Sequence, residues 1–189
     1  MATSRAGIGD RIIQVGSFKR QAAERAILRG HGIARLLGPD GELKLLVAFR
    51  NLITEVGDEY YGDRAAGIAT PPDQVSGMRL GTGTTAVAKT GAGAAIVTYV
   101  TGSSIAIDGS FPTSALSGSS RRIQWETTWA AGVATANDIS EVVITNEDPL
   151  SNVAGAAANT ISRALLSPVV NKGADDTLVV TWNHDILGA

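Results

Sequence analysis

Apolar side chains recur two apart along most of this chain, the spacing of half-buried strands. Ile33 to Leu37 is an apolar stretch, followed by the turn signature Gly38-Pro39-Asp40-Gly41. Leu43, Leu45, Val47 and Phe49 then alternate, so the two runs predict a β-hairpin. Between Asn51 and Arg64 the period changes. Thr54 suits an N-cap, Glu55, Asp58 and Glu59 favour a helical first turn, and Gly67 ends the segment. One short helix is expected there.

Met78 to Leu80 predicts a strand running into Gly81-Thr82-Gly83, and residues 86–95 read as irregular. Ile96 to Val100 and Ile105 to Ile107 are strand-like, and Ser110 to Ser120 reads as a loop. The clearest strand is Arg121 to Ala130. Ile123, Trp125, Thr127 and Trp129 share one face, with Gln124, Glu126 and Thr128 on the other. Ile139 to Thr145, Thr160 to Leu166 (stopped by Pro168) and a last strand carrying Leu178, Val180 and Trp182 complete the set, with a turn at 171–176. Seven or eight short strands with turns between them predict a mainly β fold, an antiparallel, jelly-roll-like β-sandwich. The absence of βαβ alternation argues against a Rossmann-type domain.

The first segment has a different character. Phe18 to Leu28 reads as a short helix, with Ser17 as cap, Gly30 as stop, and Ala22, Ala23, Ala26 and Ile27 on one side. Residues 1–35 hold seven basic and two acidic side chains, against nine basic and sixteen acidic in the rest. That asymmetry divides the chain into a basic arm, residues 1–31, and a β-body, residues 32–189. A helix so short is marginal alone, so its apolar stripe needs a partner surface. The partner is either its own domain or a neighbouring subunit, which thirty extended residues could reach across on the order of 100 Å. Nucleic acid is a poorer fit, because Phe18 is the arm's lone aromatic. The candidate partner-binding residues are Arg11, Phe18, Arg20, Ala22, Arg25, Ala26, Ile27 and Arg29.

With 189 residues, no cysteine and a formal charge of −2, the chain is neither a disulfide scaffold nor a generic polybasic binder. No apolar run suits a membrane span, and the N-terminus lacks the form of a signal peptide. Gly81-Thr82-Gly83-Thr84-Thr85 lacks the Lys-Ser/Thr pair of a phosphate loop and reads as a tight turn. His184 and Asp185 are adjacent on a strand and so point to opposite faces, the pattern of a surface pair at a strand end. The acidic doublets Asp58-Glu59, Glu147-Asp148 and Asp175-Asp176 lack calcium-loop spacing. No catalytic, cofactor-binding or metal-ligating set stands out, and the chain is expected to be non-enzymatic. Trp125, Trp129 and Trp182 are expected in the core; a carbohydrate platform would need them exposed.

The body's motifs also have a suggestive order. Asp40-Gly41 leads to Asn51-Leu52-Ile53-Thr54-x-x-Gly57, then to Met78-Arg79-Leu80-Gly81-Thr82-Gly83 and the tryptophan strand. Ile139-Ser140-Glu141-Val142-Val143-Ile144-Thr145-Asn146, Ser162-Arg163-Ala164, Lys172 and Leu178-Val179-Val180-Thr181-Trp182 follow. Over roughly residues 33–187 this series resembles the small β-rich structural proteins of tailed-bacteriophage virions. The resemblance implies a capsid cement or decoration protein assembled into the virion in the host cytoplasm. Its partners would be the major capsid protein and copies of itself, as a trimer. The alternatives are a tail protein (baseplate, adaptor or fibre) and a carbohydrate-binding virion module. No nucleic acid, membrane or cofactor enters this reading.

Overall fold

The computed structural model describes residues 27–149 and 151–187. Ile27–Leu37 (β1) and Leu43–Ile53 (β2) form the expected hairpin, with Ile33 opposite Ala48 and Gly41 at φ 79° in the turn. Glu55–Ala66 is the single α-helix among the described residues, α1. Thr54 caps it by accepting from the Gly57 amide at 3.1 Å, and Gly67 closes it at φ 67°. The remaining strands are Gly77–Gly81 (β3), Ile105–Ala106 (β4), Thr113–Ser117 (β5), Ser120–Trp129 (β6), Ala136–Thr145 (β7), Thr160–Lys172 (β8) and Thr177–Leu187 (β9).

All nine strands belong to one antiparallel sheet, in the order β4-β3-β7-β8-β2-β1-β9-β6-β5. The fold is mainly β, and its sheet is a curled half-barrel. The curl brings the β4 end back to β6. Asp108 donates its amide to the Glu126 carbonyl at 2.8 Å, Thr128 Oγ1 donates to the Asp108 carboxylate at 2.8 Å, and Trp129 Nε1 donates to the Ser103 carbonyl at 2.8 Å. The concave side holds the core. Trp125, Trp129 and Trp182 are buried there with Phe49, Leu80, Val142, Ile144 and Leu178, as the alternation in β6 and β9 predicts. Buried tryptophans offer no sugar-stacking platform.

The convex side is treated differently in its two halves. Behind β3, β7 and β8 it is covered by the chain from 82 to 104. Glu141 and Arg163 are both fully buried there. Glu141 accepts the amides of Gly83 (2.9 Å), Val97 (3.1 Å) and Thr98 (2.9 Å), and its other oxygen takes Arg163 Nη2 (2.6 Å) and Nε (3.1 Å). The Gly-Thr-Gly motif is explained by this carboxylate. A Cβ on Gly81 or Gly83 would lie 2.4 or 2.5 Å from Glu141 Oε1, so close approach, rather than turn geometry, requires glycine.

Four local expectations are corrected. Ile96–Val100 forms no strand, only a bridge from Tyr99 to Gly81, because the Val97 and Thr98 amides turn to Glu141. Thr113–Ser117, expected as loop, is edge strand β5; it is largely exposed and so shows no buried alternation. Pro168 does not end β8. Between Val170 and Leu165 β8 advances five residues while β7 advances from Ile139 to Glu141, and the proline sits in that bulge, outside the ladder. Finally, Ile27–Gly30 is strand, not the end of a helix.

Candidate partner-binding cleft

β1 lies between β2 and β9, but its two neighbours do not follow it equally far. With β9 it pairs from Ile27↔Leu187 to Leu37↔Thr177; with β2 the register starts only at Gly30↔Asn51. Beyond that pair β2 turns to β8, placing Leu52 opposite Arg163. The strands splay, and among the described residues nothing pairs with Ile27–Arg29 on the β2 side. The splay opens a cleft of about 750 Å³, walled by Arg29, His31, Arg50, Asn51 and Asp185 among others.

Strand alternation puts Arg29, His31 and Arg35 on the convex face of β1, with Arg50 directly across from His31. Asp185 stands across from both Arg29 and Arg122. It is committed to Arg122, which binds it through Nε at 2.8 Å and Nη2 at 3.0 Å. These bonds hold the Asp185 carboxyl below its usual range and raise the Arg122 guanidinium. His31 Nδ1 is 3.9 Å from the same carboxylate. Arg35 pairs with Glu126 at 3.2 Å. Arg29 and Arg50 are exposed and form no ion pair among the described residues.

Behind the cleft, on the concave side, lies a buried polar network. His184 is fully buried, and its pKa is pushed down to about 3, chiefly by burial and further by His31. Trp182 Nε1 donates to His184 Nε2 at 3.0 Å. An indole N–H only donates, so Nε2 carries the lone pair and Nδ1 the proton. Nδ1 therefore donates to Tyr61 Oη, 2.6 Å away. Asn51 Nδ2 adds a 3.3 Å contact to Nε2, which leaves Asn51 Oδ1 buried without a partner among the described residues. Burial also raises the Tyr61 phenol. Both ring nitrogens of His184 are thus occupied internally. The network ties α1 to β2 and β9 and fixes the floor of the splay.

Of the arm residues proposed from sequence, Arg11, Phe18, Arg20, Ala22, Arg25 and Ala26 lie outside the described residues. Ile27 opens β1, and Arg29 reaches the cleft. Gly30 has a role other than helix stop: a Cβ there would fall 1.4 Å from Asn51 Oδ1. His184 and Asp185 do point to opposite faces, but His184 is core rather than surface. Sequence reasoning passed over Arg50, Asn51 and Tyr61. Only Asn51 had a signal, as the first residue of the Asn-x-x-Thr motif. Among the described residues no group of three His, Cys, Asp or Glu side chains is placed to hold a metal ion, and no helix is long and apolar enough to cross a membrane. No protein-family model, curated protein or solved structure matches this chain.

Proposed function

We propose that this chain is a non-enzymatic structural protein of a tailed-bacteriophage virion, acting as a capsid cement whose basic arm links neighbouring capsomers. The observation that carries the reading is where the arm joins the body. Residues 1–26 lead directly into β1, an interior strand of the sheet, held by β9 over its full eleven residues. Tension applied through the arm is taken up along that strand in shear, by many main-chain bonds at once. A tether rooted this way suits a protein that must resist pressure from a packed genome. Each arm adds a second contact at high effective concentration, raising avidity without a stronger single contact.

The curled sheet is read here as a jelly-roll-like body. One apolar cluster joining Leu80 and Val142 to Trp125 and Trp129 supports this, as two facing layers would. The assembled form is read as a trimer bound to the major capsid protein. The test is removal of residues 1–26, which spares β1. The truncated protein keeps its β-sheet circular dichroism and loses attachment to the shell, while the full chain, tagged on the body, labels the head. Undiminished decoration by the truncated protein, or label confined to the tail, refutes the reading.

A further inference from the structure

We infer that the splay between β1 and β2 is a binding site for an extended acidic peptide segment of a partner protein, whose carboxylates are gripped by Arg29 and Arg50. The inference deepens the attachment reading above, resting on it only for the idea that a protein partner exists. It concerns the body rather than the arm.

Two observations carry it. The first is electrostatic. Arg29, His31 and Arg50 line a cleft with a single carboxylate, Asp185, which is already bound by Arg122 through Nε and Nη2. Arg50 stands directly across from His31, with no carboxylate beside it on that face of β1 among the described residues. Two arginines at one cleft have no carboxylate partner among the described residues, and a guanidinium is shaped to take a carboxylate through two parallel bonds. The arm of the same chain is excluded as that occupant by its own charge, since residues 1–26 hold five basic and two acidic side chains.

The second observation is main-chain geometry. From Ile27 to Arg29, β1 has a paired neighbour on its β9 side and none among the described residues on its β2 side. Among the described residues that is a short unpaired strand edge inside the cleft. An extended peptide satisfies it by strand addition, and its alternate side chains then reach the arginine-bearing convex face. A free phosphate or a nucleic-acid backbone meets the charge but offers no amide for the strand edge. Peptide is therefore the class that meets both demands.

The test uses the full chain and a fluorescein-labelled octapeptide of alternating Thr and Glu, read by fluorescence anisotropy at low and high salt. A labelled octathymidylate and a Thr–Gln octapeptide are the controls. Binding of the Thr–Glu peptide should weaken with salt and drop about tenfold or more in the double variant Arg29→Gln/Arg50→Gln, since each bond to a charged group is substantial. Arg121→Gln, on β6 and outside the cleft, should bind normally. No binding of the acidic peptide, equal binding by the double variant, or octathymidylate binding that competes at equal strength overturns the inference. The 1–26 truncation should still bind the peptide. If it does while losing particle attachment, both proposals stand; if it binds peptide and still decorates particles, only the cement reading fails.

Discussion

Glu141→Gln is the most informative single change in this fold. The carboxylate accepts from five N–H donors, three main-chain amides of the 82–98 segment and two of Arg163. A glutamine has the same shape but one acceptor oxygen. Its NH₂ must face either the guanidinium or the amides, setting donor against donor whichever way it turns. It also leaves the Arg163 charge fully buried with no counter-charge. Breaking a buried pair from one side costs about 3–5 kcal/mol. With a urea dependence of about 2 kcal/mol per molar, that lowers the unfolding midpoint by about 2 M. Adding Arg163→Met removes the stranded cation and frees the glutamine oxygen for the three amides. The double variant should then cost about 2 kcal/mol less than the two single costs added together. Urea titrations followed by tryptophan fluorescence suit the measurement, because the three indoles are buried. A midpoint within about 0.3 M of the parent for Glu141→Gln, or strict additivity in the double variant, would refute the assignment of Glu141 as the centre of the buried framework.

His184 predicts an acid-sensitive fold. Its folded pKa of about 3 lies below its ordinary 6.5, so between those values the unfolded chain takes up a proton that the folded chain refuses. The contribution is fully present above pH 6.5 and is lost as pH falls toward 3, by up to about 5 kcal/mol. His31 and Asp185 oppose each other at this site, the first lowering and the second raising the His184 pKa. His184→Gln should be less stable at pH 7.5 yet show a flatter midpoint between pH 6.5 and 4.5; an unchanged slope would count against the network. Thr54→Val removes the hydroxyl that accepts from Gly57 and donates to the Thr160 carbonyl, at a cost of about 1–2 kcal/mol, and thermal unfolding of the variant measures it. No change in Tm would mean that the cap is dispensable.

How far the sequence could be read depended on how many faces of a strand are covered. β6 has one face in the core and one toward solvent, so Trp125, Thr127 and Trp129 alternate visibly with polar residues and the strand was plain. β5 has neither face buried, and nothing in Thr113–Ser117 separates it from a loop. Ile96–Val100 failed for the opposite reason: its β-branched residues favour extension, but its amides have a carboxylate to satisfy instead of a neighbouring strand. The quoted motifs turned out to mark buried polar contacts. Thr54, Gly57, Gly81, Gly83, Glu141 and Arg163 all belong to them, and no spacing rule links Gly83 to a glutamate 58 positions later. At the cleft, Arg29 was legible as part of a basic segment. Its neighbours were not, because Arg50 and Asp185 come to its side only through the registers of β1 with β2 and β9.

The two halves of the sheet differ in a way that bears on where a partner can dock. β3 and most of β7 are buried on both faces, since the 82–104 chain lies over their convex side and is locked there by Glu141. On β2 and β1 the convex face stays open, and on β9 and β6 it is largely half-buried. Leu46 and Ile33 are 51% and 38% exposed there, beside Arg35, Arg50 and Arg122. A partner approaching the first half meets a loop; one approaching the second meets a regular strand array with side chains two apart. The arm enters the sheet in this open half, through β1, and the splay lies at that entry point. On the proposed reading, arm contact and cleft contact load the same strand from the same end, and a partner engaging both approaches along the Ile27 end of β1. The framework around Glu141 covers the other half and reaches β2 through Arg163, which stands across from Leu52. On the proposed reading a variant that loosens the 82–98 segment lowers stability, whereas one in Arg29 or Arg50 lowers cleft affinity and leaves stability unchanged.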